Sequence, residues 1–253
     1  MKLDGLAAVV TGGASGLGAA TARVLADSGC KVAVLDINQD AVRASAERIG
    51  GIGIACDVTS GPSAEAAMQQ ASAANGPCRI LVNCAGVGTA GRILGRNGPL
   101  PLEAFEKVIR VNLIGTFNLL RLAAAEMSAA DPLDDGERGV IVNTASIAAY
   151  EGQVGQPAYA ASKGGVAALT LPAARELARF GVRVVTIAPG VFHTPMVDGL
   201  PPDVQAALAA DVPFPSRLGR PDEYAALVAH IAANRFLNGE VIRLDGALRM
   251  QPR

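Results

Sequence analysis

Short runs of β-branched and aliphatic residues recur along the chain, at 7–11, 31–35, 53–56, 80–83, 140–143, 183–187 and 241–244. Most show no polar alternation, so both faces of each strand are expected to be covered, as in a parallel sheet between helical layers. The stretches between them are rich in Ala at helical spacing, as at 16–28 and 64–74. Strand and helix alternating in this way predict an α/β fold, a doubly wound, parallel, seven-stranded sheet with helices on both faces. No repeat, low-complexity tract or linker divides the sequence, and 253 residues suit a single domain.

Three stretches break the pattern. Residues 89–101 combine Gly, Pro and Arg and read as an extended loop, and 131–139 as a polar loop. Residues 192–215 carry Pro195, Pro201, Pro202, Pro213 and Pro215 around a short apolar stretch at 204–209. A connection of that length suits a lid, whereas ordinary surface insertion is the plain alternative for all three, above all for the first two.

Composition narrows the partners. A net charge of -1 and 4% aromatic residues without Trp fit neither a basic nucleic-acid binder nor a base-stacking surface. Cys30, Cys56, Cys78 and Cys84 form no CxxC pair and lie in or beside apolar segments. They read as small buried hydrophobes in a reducing compartment. His193 and His230 are not at ligand spacing with them, so no metal site is expected. The apolar run at 6–10 is too short for a secretory signal, and no long charge-free stretch suggests a membrane span. The expected location is cytoplasmic, with a removed transit peptide left open.

The first strand runs into Thr11-Gly12-Gly13-Ala14-Ser15-Gly16-Leu17-Gly18, which opens the first helix. Glycines there allow a sharp turn and close approach of main-chain N–H groups to a pyrophosphate, with the helix dipole behind them. Asp36 ends the second strand, where a carboxylate binds adenine-ribose hydroxyls. No Lys or Arg adjoins it to hold a 2′-phosphate, so NAD is the expected cofactor. Asp57-Val58 follows the third strand and Asn83-Cys84-Ala85-Gly86 the fourth, at the strand ends where such sheets place ligands. Asp57 is a candidate for the adenine amino group and Val58 for the ring. A helix cap for Asp57 and a structural turn at Asn83 are the alternatives.

Tyr159-Ala-Ala-Ser-Lys163 puts a phenol and an ammonium on one helix face. Ser146 follows the fifth strand and Asn112 lies in the preceding helical segment. An ammonium about 4 Å from a phenol is worth about 4 kcal/mol at an effective dielectric near 20, which predicts a depressed Tyr159 pKa. A Ser-His-Asp hydrolase is the rival, but no G-x-S-x-G elbow is present.

With these residues in this order, the chain resembles the short-chain dehydrogenase/reductase family, a three-layer Rossmann fold, from Thr11 to Gly246. The resemblance implies Tyr159 as acid/base, Lys163 as its partner and ribose anchor, Ser146 as holder of the substrate oxygen, and Asn112 as support for a water relay. It also implies a nicotinamide-side loop at Pro189, Phe192 and Thr194, with Thr194 on the carboxamide. The stretches 111–118, 151–156, 213–219 and 236–246 are similar to the members that oxidise 3-hydroxyacyl-CoA esters. That likeness implies an acyl-CoA substrate, NAD and a homotetramer. Gln156 is then a candidate for the thioester carbonyl, with a loop-to-backbone bond as its alternative. Met196, Leu200 and Leu208 are candidates for an apolar wall. Arg92 and Arg96 either meet CoA phosphates or are simply solvated. A broad alcohol or hydroxysteroid dehydrogenase and a non-enzymatic NAD-binding scaffold are the other function classes.

Overall fold

The computed structural model describes residues 1–252, apart from the side chain of Met196. Among these residues nine strands and nine α-helices follow one another, beginning with β1 (Ala7–Thr11), α1 (Gly16–Asp27), β2 (Lys31–Asp36), α2 (Gln39–Glu47), β3 (Ile52–Ala55), α3 (Gly61–Asn75) and β4 (Ile80–Asn83). A two-residue hairpin pair, β5 (Leu94–Gly95) and β6 (Gly98–Pro99), precedes α4 (Leu102–Ile109), a π-turn (Arg110–Ile114) and α5 (Gly115–Ala129). Then come β7 (Gly139–Thr144), α6 (Pro157–Leu177), β8 (Val182–Pro189), α7 (Pro195–Asp198), α8 (Pro202–Ala210), α9 (Pro221–Ala233) and β9 (Val241–Leu244).

The main sheet has the parallel order β3-β2-β1-β4-β7-β8-β9. The alternating faces of its strands feed two cores. Val9, Leu81 and Ile141 pack with α3, α5 and α6, while Val10, Val82 and Val142 pack with α1, α2 and α9. The strand order reverses between β1 and β4, which opens a crevice at their carboxyl ends. At the other end of the sheet, the buried Arg183 guanidinium donates to Glu137 at 2.8 Å.

The seven strands of the main sheet stand where the hydrophobic runs predict them, with ends moved by a residue or two, whereas β5 and β6 fall in the stretch 89–101 that reads as a loop. At the edge the expectation of two covered faces fails: in β3 only Ile54 is buried, because no strand lies beyond it. Residues 192–215 are helical in part, with Pro195 and Pro202 in the first turns of α7 and α8, where a missing N–H costs nothing. Pro172 does not interrupt α6, whose helical run is unbroken. The run Leu102–Ala129 is long and apolar enough to cross a membrane by length and composition, although it is not charge-free, since it carries Arg121 and Glu126. Here its Leu119, Leu120 and Ala123 are packed into the sheet's core.

Candidate active site

The glycine-rich turn after β1 and the turn after β4 clasp each other. Cys84 donates its main-chain N–H to the Thr11 carbonyl at 3.2 Å, and Ala85 donates to the Thr11 hydroxyl at 3.2 Å. Gly12 has φ +63°, and a methyl there would lie 2.7 Å from the Ala85 nitrogen. A methyl on Gly18 would lie 2.2 Å from the Gly12 carbonyl oxygen, so only glycine lets α1 start so close to the turn. Ser15 stands at the head of α1 without capping it through its side chain. The N–H groups of Gly16, Leu17 and Gly18 therefore lack a side-chain cap, as a pyrophosphate site requires. Thr194 lies over this turn, its Cγ2 3.3 Å from where a Gly16 methyl would be.

Asp36 accepts from the N–H of Ala14 at 3.3 Å and of Asn38 at 3.2 Å, which leaves lone pairs for a diol. Exposed Ile37 follows it, so the side chain beside the carboxylate is apolar and uncharged. Asp57 spends Oδ1 on the N–H and hydroxyl of Thr59, at 2.9 and 2.8 Å, and the cap of α3 is Ser60 instead. Its Oδ2 makes no hydrogen bond among the described residues.

The side chains of several expected cofactor residues are engaged elsewhere in the fold. The Asn83 side chain is buried and donates to Asn143 at 2.9 Å and to the Thr116 carbonyl at 3.4 Å, while its own carbonyl accepts from Thr144. It holds strand ends together, because β4 and β7 are neighbours and their asparagines fall opposite each other in register. Val58 is packed against Gly115 in the core, leaving only its main chain for a ligand. Phe192 is likewise a core side chain, pressed onto Gly219. Pro189 ends β8 in the buried layer. The Cys84 thiol points toward Tyr224 and Thr144, both at 3.7 Å, and burial pushes it up. Gln156 makes the loop bond that was its alternative, its Oε1 accepting from the Gln153 N–H at 3.2 Å. Arg92 and Arg96 are exposed. Met196 falls outside the described side chains.

Ser146 bonds the Tyr159 phenol, Tyr159 lies next to Lys163, and Lys163 and Asn112 meet beside Gly86. A methyl there would lie 3.3 Å from Asn112 Oδ1 and 3.6 Å from Lys163 Nζ. Asn112 sits in the π-turn, accepts from the Val87 N–H at 2.8 Å, and donates to the Val87 carbonyl and the Ser162 hydroxyl. Its amide thus joins the turn after β4 to α6. Ser146 opens a 3-10 turn and accepts from the Ala148 N–H at 3.1 Å. The Lys163 ammonium is buried, donates to the Thr144 carbonyl at 2.7 Å, and lies 5.8 Å from the Tyr159 ring centre.

Electrostatics also depart from the expectation. Burial raises the Tyr159 phenol and a hydrogen bond with Ser146 opposes it, with no lowering from Lys163. Burial brings Lys163 itself down to about 8. The cause is geometric: the ammonium is turned to Thr144, so desolvation outweighs attraction to the phenol. Thr11, Thr144, Ser162 and Tyr224 are supporting residues that the sequence does not single out. Only Thr11, at the head of the glycine-rich turn, and Ser162, inside the Tyr159–Lys163 motif, had a signal.

A phenol, a hydroxyl and an ammonium on the rim of a glycine-lined crevice can move a proton on and off a substrate oxygen beside a bound dinucleotide. Residues 6–205 match the short chain dehydrogenase family, and the chain belongs to it. It is an oxidoreductase that acts on CH–OH groups of small molecules with a nicotinamide cofactor. The chain is 52% identical to human 3-hydroxyacyl-CoA dehydrogenase type-2, over 99% of this chain and 98% of the relative. It is 40% identical to cis-4-hydroxycyclohexanecarboxylate dehydrogenase of Sinomonas cyclohexanicum, over 94% of each. The crystal structure of 3-hydroxyacyl-CoA dehydrogenase type-2 from Mycobacterium avium superposes with a TM-score of 0.94 at 45% identity, covering all of both chains.

Proposed function

We propose that the protein oxidises 3-hydroxyacyl-CoA esters to 3-ketoacyl-CoA esters with NAD. The observation that carries the substrate class is the end-to-end likeness to relatives bearing that name. Bound in the crevice, NAD supplies a hydride acceptor and a positive charge beside the phenol. The Ser146 hydroxyl holds the substrate oxygen, and Tyr159 takes its proton and returns it in the reverse direction. Lys163 anchors the nicotinamide ribose and keeps a positive charge near the phenolate. Asn112 is a positioning residue, since both N–H donors of its amide are spent on Val87 and Ser162 and its oxygen accepts from Val87. Asp36 favours NAD over NADP because it accepts from ribose hydroxyls and repels a 2′-phosphate.

The same reading includes a homotetramer and a cytoplasmic location. Exposed Ile114 and Phe117 border an apolar groove with Leu113, Gly165 and Leu169, a face suited to a second copy. Light scattering at micromolar concentration tests the assembly. All four cysteines are free, as a reducing compartment allows, and cell fractionation tests the location.

The deciding experiment is a turnover panel of 3-hydroxyacyl-CoA esters, hydroxysteroids and alicyclic alcohols with NAD and NADP. The highest kcat/KM is expected for a CoA ester with NAD. The similarity to the Sinomonas cyclohexanicum enzyme supports a second reading, oxidation of a cyclic secondary alcohol. A higher kcat/KM on alicyclic substrates than on every CoA ester selects it.

A further inference from the structure

Tyr224 on α9 is fully buried among aliphatic side chains on the face of the sheet opposite α6. A phenylalanine would fill that space without a polar atom to satisfy. Instead the phenol meets the Thr144 hydroxyl at 2.7 Å, also within an aliphatic cluster, after Val140 and Val142. The direction of this bond is fixed. Thr144 gives its single proton to the Asn83 carbonyl at 2.6 Å, so Tyr224 is the donor. The main-chain carbonyl of the same Thr144 holds the Lys163 ammonium at 2.7 Å, and Ser146 follows two residues later. One residue at the end of β7 therefore links the two helical layers, from the phenol of α9 to the ammonium of α6.

We propose that Tyr224 is a positioning residue for Lys163, acting through Thr144 from the far side of the sheet. The inference rests on the dehydrogenase reading above. Two hydroxyls facing each other in an apolar cluster add little to stability over a Phe and a Val of the same shape. What they add is direction: they fix the Thr144 peptide, and with it the carbonyl that orients the ammonium. The titratable groups around Lys163 are Tyr159 on its own helix and Cys84 in the turn after β4, with Tyr224 beyond Thr144. No carboxylate faces it among the described residues, so the Thr144 carbonyl is the contact that steadies its charged form.

The test compares Tyr224→Phe, Thr144→Val, their combination and Thr144→Ser. Tyr224→Phe leaves Thr144 bonded to Asn83, and the only donor that loses its acceptor is the weak Cys84 S–H. It is expected to lower kcat about fivefold, the kinetic equivalent of one net hydrogen bond. The Lys163 titration, followed by NMR of its labelled side chain without substrate, is expected to move to lower pH. Thr144→Ser keeps the hydroxyl and should keep both properties, whereas Thr144→Val should lose them. The double variant should be no worse than the more damaging single one. Unchanged kcat and Lys163 titration in Tyr224→Phe, or additive losses in the cycle, would overturn the proposal. If Tyr224→Phe does not fold, Thr144→Val against Thr144→Ser makes the same comparison, and equal behaviour of those two overturns it. Should no CoA ester be turned over, the NMR titration still decides the matter, so the two readings fail separately.

Discussion

The Asp36 carboxylate accepts a hydrogen bond from the main-chain N–H of Ala14 at 3.3 Å, so the last residue of β2 is tied to the glycine-rich turn after β1. One acidic side chain thereby shapes the turn and keeps free lone pairs at the carboxyl end of β2.

Asp36→Ala should raise KM for NAD by roughly 10- to 100-fold, the range for hydrogen bonds to a charged group. KM for NADP should change far less, because the lost carboxylate also removes a repulsion. Paired kcat/KM measurements with the two cofactors check this, and equal cofactor use by the unmodified protein contradicts it.

Gly18→Ala would place a methyl 2.2 Å from the Gly12 carbonyl oxygen. That contact is main chain on main chain and cannot be relieved by a rotamer change. Helix α1 must shift away from the turn, at a cost of about 1–3 kcal/mol for an overpacked site. A lower Tm together with loss of NADH binding, followed by fluorescence, is expected. Tm loss with intact binding would separate the turn from the cofactor.

The reactive protonation state pairs an ionised Tyr159 with a charged Lys163. Burial holds the first above its ordinary value and brings the second to about 8. Below about 8 the population of this state rises tenfold per pH unit as the phenol ionises. Above it, loss of the ammonium cancels further gain. The oxidative kcat/KM should therefore climb and then flatten near 8, and the bend belongs to Lys163 rather than to Tyr159. Tyr159→Phe should lower turnover by at least about 100-fold while NADH still binds. A profile that keeps climbing well past the bend would remove Lys163 from this role.

The buried ammonium also costs stability. An unfolded lysine titrates at about 10.4, and Lys163 in the fold at about 8. Below the folded value both states are charged and the fold carries the full penalty. Between the two values the unfolded chain binds more protons, so stability rises with pH. Lys163→Met should raise the unfolding free energy near pH 7 by up to roughly 3 kcal/mol, less the cost of the orphaned Thr144 carbonyl, and Tm with it. The gain should fade toward pH 10. Thermal unfolding at the two pH values checks both its sign and its fading.

The sequence by itself determined the strands and helices, because apolar runs and helical spacing are local patterns that the covered faces of a parallel sheet preserve. It also determined the glycine-rich turn, Asp36 and the Tyr159–Lys163 pair, since each depends on neighbours a few residues away. Tertiary structure alone decided where side chains point at the strand ends. Asn83 turns to Asn143 rather than to the crevice, and Val58 and Phe192 go into the cores, because strand register and helix packing bring together residues dozens of positions apart. The link from Tyr224 through Thr144 to Lys163 joins three elements from both faces of the sheet. No local spacing encodes it, because the order of the strands and the stacking of the two helical layers bring those atoms within hydrogen-bond reach.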